Sequence, residues 1–195
     1  NKFFFELLGF VPSKGTIFKN IKKVLPGEII EINLDDYSLD TKTYKRRKSE
    51  MKISDNPDLI FEAIKTSINR QGDVDKCCLA FSGGVDSTII ATAISRLGLS
   101  IPLVHLDIPG NESEKENAIN IARKLSLKLE IIKIENINFS FDDFKDFVDF
   151  PVDNHGMMMT SLLAKYCSKN GYRVVLTGMG ADEYFGGYQR SKYVD

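Results

Sequence analysis

Cys77-Cys78-Leu79-Ala80-Phe81-Ser82-Gly83-Gly84-Val85-Asp86-Ser87-Thr88 sets an unbroken apolar run against a glycine pair, and the fold follows from that junction. The apolar half, Cys77 to Phe81, reads as a strand buried on both faces, because such a strand needs no polar alternation. Ile90, Ala93, Ile94 and Leu97 mark one face of a helix that follows it, and Gly98 is placed to end that helix. Between strand and helix, two glycines let the backbone turn sharply and approach a ligand closely. The N–H groups opening the helix and the hydroxyls of Ser82, Ser87 and Thr88 are then expected to point at one place, which suits an anion. In open parallel sheets ligands bind beyond the carboxyl ends of strands, where this loop lies.

The same strand-then-helix rhythm continues downstream. Leu103 to Leu106 is the next predicted strand, and Ser113-Glu114-Lys115-Glu116 has capping-box spacing for a helix that turns Ile119, Ala122 and Leu125 inward. Leu129 to Ile134 is a third strand, Met157 to Cys167 a helix broken by Gly171, and Arg173 to Leu176 a fourth strand running into Thr177 to Glu183. Repeated βαβ units predict an α/β fold, a parallel sheet with flanking helices. Upstream, Pro57 to Asn69 reads as a helix leading into this unit. The first part reads as a short β-rich unit punctuated by Val11-Pro12-Ser13-Lys14-Gly15 and Leu25-Pro26-Gly27, with Glu28 to Ile32 as a strand. From Asp36 to about Asn56 the composition turns polar and charged without a period, which reads as linker, bounded at 46–56.

The glycine loop is not a Walker A sequence, since no Lys follows the glycines. It carries Asp86 instead. A carboxylate inside a phosphate cradle repels its ligand unless a cation lies between them, so Mg²⁺ shared by Asp86 and phosphate oxygens is the natural reading. The plainer alternative is a Gly-Gly turn with a capping Ser or Asp. The second loop follows a strand too, and Asp182 could bring a further carboxylate to the metal; taken alone, Gly-Ala-Asp-Glu is equally a helix start whose acids complement the N-terminal dipole. His105, inside a strand, reads as a packed or satisfied residue, and so does His155, although its place in a loop beside Gly156 could let it reach a substrate. Met157, Met158 and Met159 read as core filling, and Cys77 and Cys78 as inert thiols.

Composition narrows the class. Among 195 residues, 43% hydrophobic and 27% charged is ordinary for a globular protein, and no apolar run approaches the roughly 18 residues of a membrane span. The formal charge of −1 offers nucleic acid no basic stripe, and Lys45-Arg46-Arg47-Lys48 reads as solvated linker. Three cysteines without C-x-x-C spacing argue against a disulfide framework and a zinc site, and fit a reducing cytoplasm.

Phe81 to Thr88 resembles the pyrophosphate loop of the N-type ATP pyrophosphatases (PP-loop, Rossmann-like). Val175-Leu176-Thr177-Gly178-Met179-Gly180-Ala181-Asp182-Glu183-Tyr184-Phe185-Gly186-Gly187-Tyr188 resembles the second signature of glutamine-dependent asparagine synthetases. Gly9-Phe10-Val11-Pro12, Thr16-Ile17 and Leu25-Pro26-Gly27 resemble the tail of that family's N-terminal glutaminase domain. The resemblance implies that 1–45 is the end of a class II amidotransferase-like domain and 57–195 a synthetase domain cut short at its C-terminus. It implies ATP with its pyrophosphate on Ser82, Gly83, Gly84, Val85, Asp86, Ser87 and Thr88, and its adenosine near Ala80, Leu106, Thr177 and Gly178. Asp86 and Asp182 would hold Mg²⁺, with Asp86, Asp182 and Glu183 as the catalytic acids. Aspartate or another carboxylate would be activated as an acyl-adenylate and amidated by ammonia or glutamine-derived nitrogen; the alternative is an asparagine-synthetase-like nucleotide-binding protein that lacks asparagine synthesis. Nucleic acid and membrane are not implied as partners; a homo-oligomer is compatible. The family's glutaminase Cys and its C-terminal Lys have no counterpart in these residues. Where asparagine synthetases usually carry a Glu for amidation, this sequence has Met179, as do the asparagine-synthetase-domain-containing proteins with an apolar residue there.

Overall fold

The computed structural model describes residues 2–8, 10–44, 56–135 and 155–187. Contacts separate a smaller unit within Asn1–Ile53 from a larger one that holds the described residues from Asn56 onward.

In the smaller unit, helix α1 (Lys2–Leu8) precedes strands β1 (Glu28–Ile32) and β2 (Leu39–Thr43), which pair antiparallel with Ile30 opposite Thr41. The β2 strand corrects the reading of everything after Asp36 as linker. Its five residues are all exposed, so no burial alternation marks them. The hairpin is instead set by turn chemistry: Asn33 Oδ1 accepts from Asp35 N–H and Asp36 Oδ1 from Ser38 N–H, each at 2.9 Å, and Asn33 N–H closes on the Ser38 carbonyl. The α1 helix is likewise absent from a purely β-rich reading. Most of the 46–56 linker, with Arg46, Arg47 and Lys48, lies outside the described residues.

The larger unit opens with α2 (Pro57–Asn69), whose N-cap Asn56 accepts from the Asp58 N–H and whose first residue is proline, preset for a helix start. Then follow β3 (Cys77–Ala80), α3 (Val85–Arg96), β4 (Leu103–Asp107), α4 (Glu112–Lys124), β5 (Leu129–Lys133), α5 (His155–Lys169), β6 (Val174–Leu176) and α6 (Ala181–Phe185). The four strands form one parallel sheet in the order β5-β4-β3-β6. Period-two geometry sorts the apolar run of β3 between two cores. Cys77, Leu79 and Phe81 pack with Ile68 of α2, Ala91 and Ile94 of α3, and Ala118 and Ala122 of α4. Cys78 turns the other way, to Leu163 and Cys167 of α5 and Val104 of β4. Helices therefore cover both faces, as the buried centre of a parallel sheet requires.

Two local expectations change. The α4 helix begins at Glu112 behind Asn111, not at a capping box on Ser113. Asn111 makes no side-chain cap to the backbone; its amide donates to Glu114 Oε2 at 3.2 Å instead. The inward stripe of α4 is Ala118, Ile121, Ala122 and Leu125 rather than one including Ile119, because small alanines let the helix sit close on β3 and β4. The Phe- and Asp-rich stretch at 136–154 lies outside the described residues. Among the described residues no helix is long and apolar enough to cross a membrane.

Candidate active site

Strand order places the site. From β3 the chain moves by way of α3 to β4 and β5 on one side, and β6 returns to the other side of β3, pairing Cys77 with Val174 and Leu79 with Leu176. The reversal between β3 and β6 is where a doubly wound sheet opens a crevice, and both glycine loops leave their strands there. The two loops touch. A Cβ on Gly178 would lie 2.8 Å from Asp86 Cβ and 3.2 Å from the Ser87 nitrogen, so only glycine lets the second loop lie on the first turn of α3.

Between the loops lies a cleft of about 460 Å³. Its walls include Ser82, Gly84, Val85, Asp86 and Ser87 from the first loop, and Thr177, Gly178, Asp182 and Glu183 from the second, with Ala80 and Leu106 beside them. Ser82 Oγ and Ser87 Oγ stand 3.3 Å apart; Gly84 N–H donates to Ser82 Oγ at 3.2 Å, and Ser87 Oγ donates to the Gly84 carbonyl. These hydroxyls stand at the N-terminus of α3, where the free N–H groups and helix dipole favour negative charge.

Two residues of the glycine loop face elsewhere. Gly83, at φ +80°, backs onto α4: a Cβ there would come within 3.2 Å of the Ala118 nitrogen, and its carbonyl accepts from Asn117 Nδ2 at 2.9 Å. Thr88 does not line the cleft, and its hydroxyl is buried without a hydrogen-bond partner among the described residues. Sequence reading also passed over some wall residues. Glu114 reaches the cleft from the first turn of α4, beyond the carboxyl end of β4, a position the sheet rule could have flagged. Leu163 reaches it from α5, and no sequence signal marks it out from the other leucines.

His105 lines the cleft but is already bound. It is buried, and its Nδ1 lies 2.8 Å from the Phe81 carbonyl. A carbonyl only accepts, so the ring carries its proton on Nδ1 and ties β4 to the end of β3. The His155 side chain lies outside the described residues. The three thiols are buried, and burial first, then the neighbouring Cys167, pushes the Cys78 thiol far above its ordinary range.

The donor set around the cleft fits a particular class of metal. Among the described residues no three His, Cys, Asp or Glu side chains converge as a preformed cage. Asp86 and Asp182 nevertheless share the cleft. Mg²⁺ is commonly held in this way, by one or two carboxylates plus substrate phosphates and water rather than by an all-protein cage.

Residues 59–194, which span both loops, match the family described as asparagine synthase. The chain belongs to the asparagine synthase family. It is 27% identical over 190 residues to asparagine synthetase [glutamine-hydrolyzing] 1 of Bacillus subtilis, covering 92% of this chain and 29% of that protein. It is 25% identical over 201 residues to the amidase chry2 of Gibberella zeae, covering 89% of this chain and 30% of that one. Of solved structures, an NH3-dependent NAD synthetase from Campylobacter jejuni is similar with a TM-score of 0.48 and 22% identity, over 67% of this chain and 58% of that one. The chain spans under a third of the length of these two curated relatives. Within this asparagine synthase domain Met179 is 79% exposed at the cleft, so its thioether faces the open space rather than a core.

Proposed function

We propose that this asparagine synthase domain binds ATP in the cleft between the β3 and β6 loops and activates a carboxylate, aspartate first among candidates, for amidation. The observation that carries this reading is the seat of Gly178 on Asp86 and Ser87, which joins two glycine loops into one crevice at the N-terminus of α3. The pyrophosphate portion of ATP would lie against Ser82, Gly84 and Ser87, with the adenosine toward Ala80, Leu106, Thr177 and Gly178. Mg²⁺ held by Asp86 and Asp182 would supply the positive charge that lets two carboxylates share a crevice with phosphate.

In the first step a substrate carboxylate oxygen attacks the α-phosphorus, the α–β phosphoanhydride bond breaks, and pyrophosphate leaves an acyl-adenylate behind. The domain's part is positioning and charge stabilisation by backbone N–H groups and hydroxyls aimed where charge accumulates. Ammonia then attacks the acyl carbon, a proton is lost from nitrogen, AMP departs, and an amide remains. The nitrogen source is free ammonia or ammonia drawn from glutamine by further parts of the protein.

Met179 favours a second reading for the last step. Its thioether accepts no proton at neutral pH, and general-base help is worth roughly a hundred- to ten-thousand-fold in rate. With Met179 at the cleft, adenylation is retained while asparagine formation is slow, or another acid or nucleophile is used. ATP–pyrophosphate exchange with aspartate and a panel of other carboxylates tests both readings. Exchange with any acid supports activation; exchange with none, together with no Mg²⁺-dependent ATP binding, would remove it.

A further inference from the structure

We infer that Asn117 is a positioning residue for the pyrophosphate loop, fixing the direction of the Gly83–Gly84 peptide; the inference rests on the ATP reading of the cleft. The argument starts from the glycine pair itself. A peptide unit flanked by glycines on both sides can rotate as a plane, because neither residue has a Cβ to exclude the flipped dihedrals. The freedom that lets the chain turn at Gly83 therefore also threatens the site. In a trans peptide the C=O and N–H point in opposite directions, so a flip would exchange a donor facing the cleft for an acceptor.

The loop is held in one of these two states. Asn117 Nδ2 donates to the Gly83 carbonyl at 2.9 Å, pinning the oxygen on the α4 side. The other end of the same peptide, Gly84 N–H, then points to Ser82 Oγ at 3.2 Å, on the cleft wall. Backing the strut, Ala118 is fully buried, and a Cβ on Gly83 would come within 3.3 Å of Asn117 Nδ2. No other donor to the Gly83 carbonyl is found among the described residues. Without the amide, nothing on the α4 side opposes the flip, and a carbonyl oxygen could enter the space expected to hold phosphate oxygens.

Substitution at Asn117 should therefore act on phosphate and spare adenosine. Asn117→Asp is nearly isosteric but replaces the donor by a carboxylate that repels the Gly83 oxygen; Asn117→Leu removes polarity altogether; Asn117→Gln keeps an amide donor. Calorimetry with Mg²⁺ and, separately, ATP, inorganic pyrophosphate and adenosine is expected to show ATP and pyrophosphate affinity down about tenfold in the Asp and Leu variants, the scale of one hydrogen bond. Adenosine affinity should be unchanged, with partial recovery of the phosphate ligands in the Gln variant. A general loss of fold would weaken all three ligands together, and the melting temperature of each variant identifies that case. Pyrophosphate affinity within twofold of wild type in folded Asp and Leu variants overturns the inference while leaving the ATP reading standing. Wild-type protein that binds neither ATP nor pyrophosphate overturns both.

Discussion

Asp86 and Asp182 stand in the first turns of α3 and α6, far apart in sequence, and they share one cleft. If both serve one Mg²⁺, Asp86→Asn and Asp182→Asn should each lower Mg²⁺-dependent ATP affinity by at least about tenfold, because the remaining carboxylate leaves the metal under-coordinated. Titration of each variant with and without Mg²⁺ checks this, and affinities equal to wild type would remove the metal assignment. Gly178→Ala probes the contact between the loops. Its new methyl would sit 2.8 Å from Asp86 Cβ, closer than side chains pack, and overpacking of this kind costs about 1–3 kcal/mol. The expected result is a lowered melting temperature together with lost ATP binding; an alanine variant that binds ATP normally would show that the loops can part without harm. At Met179 the expected gain runs the other way. Met179→Glu should raise amide formation more than it raises ATP–pyrophosphate exchange, since a restored acid acts after adenylation. Equal changes in both assays would place the residue's influence before the amide step.

At the scale of elements, the attachment of α5 to β5 is polar as well as apolar. Glu130 of β5 accepts from Tyr172 at 2.9 Å and from Tyr166 at 3.2 Å, and Lys128 lies 2.6 Å away. Burial pushes the Glu130 carboxyl up, but these donors outweigh it and its pKa lies below the ordinary 4.5. A carboxyl depressed in the folded state stabilises above its unfolded pKa, and that contribution disappears as pH falls through the folded value. Urea midpoints should therefore fall as pH drops below the ordinary 4.5 and on through the lower folded value, and fall less in Glu130→Gln. Parallel loss in both proteins would mean that other carboxylates govern acid unfolding. The β3, α3, β4 and α2 elements were legible because apolar runs, glycine stops and a proline start act within a few residues. The β2 strand was not, because its ribbon buries nothing and its register rests on Asx turns. The α4 start was misread because Asn111 bonds a side chain rather than the backbone, so the capping pattern at Ser113 has no counterpart. Within the cleft, the loop residues followed from strand ends. The turn of Gly83 away from the cleft did not, since it depends on where α4 packs.

For the molecule as a whole, the thiols bear on nitrogen supply. Cys77, Cys78 and Cys167 are all buried, and burial raises each thiol above its ordinary value. These 195 residues alone should therefore release no glutamate from glutamine, and the thiols should react with alkylating reagents only as fast as the protein opens. Glutamate release that disappears on mutating one of the three would reveal an active thiol where the fold shows a buried one. The pairing of β3 with β6 has a consequence for assembly. The first glycine loop follows β3, but its counterpart arrives only with β6, after β4, β5 and α5. During synthesis the cleft therefore stays half built until β6 docks, and closing that long loop is among the slower contacts to form. A ligand bridging both loops would recognise only the sheet with β6 in place, so ATP should act as a late clamp on folding, slowing the departure of β6 more than it speeds its arrival.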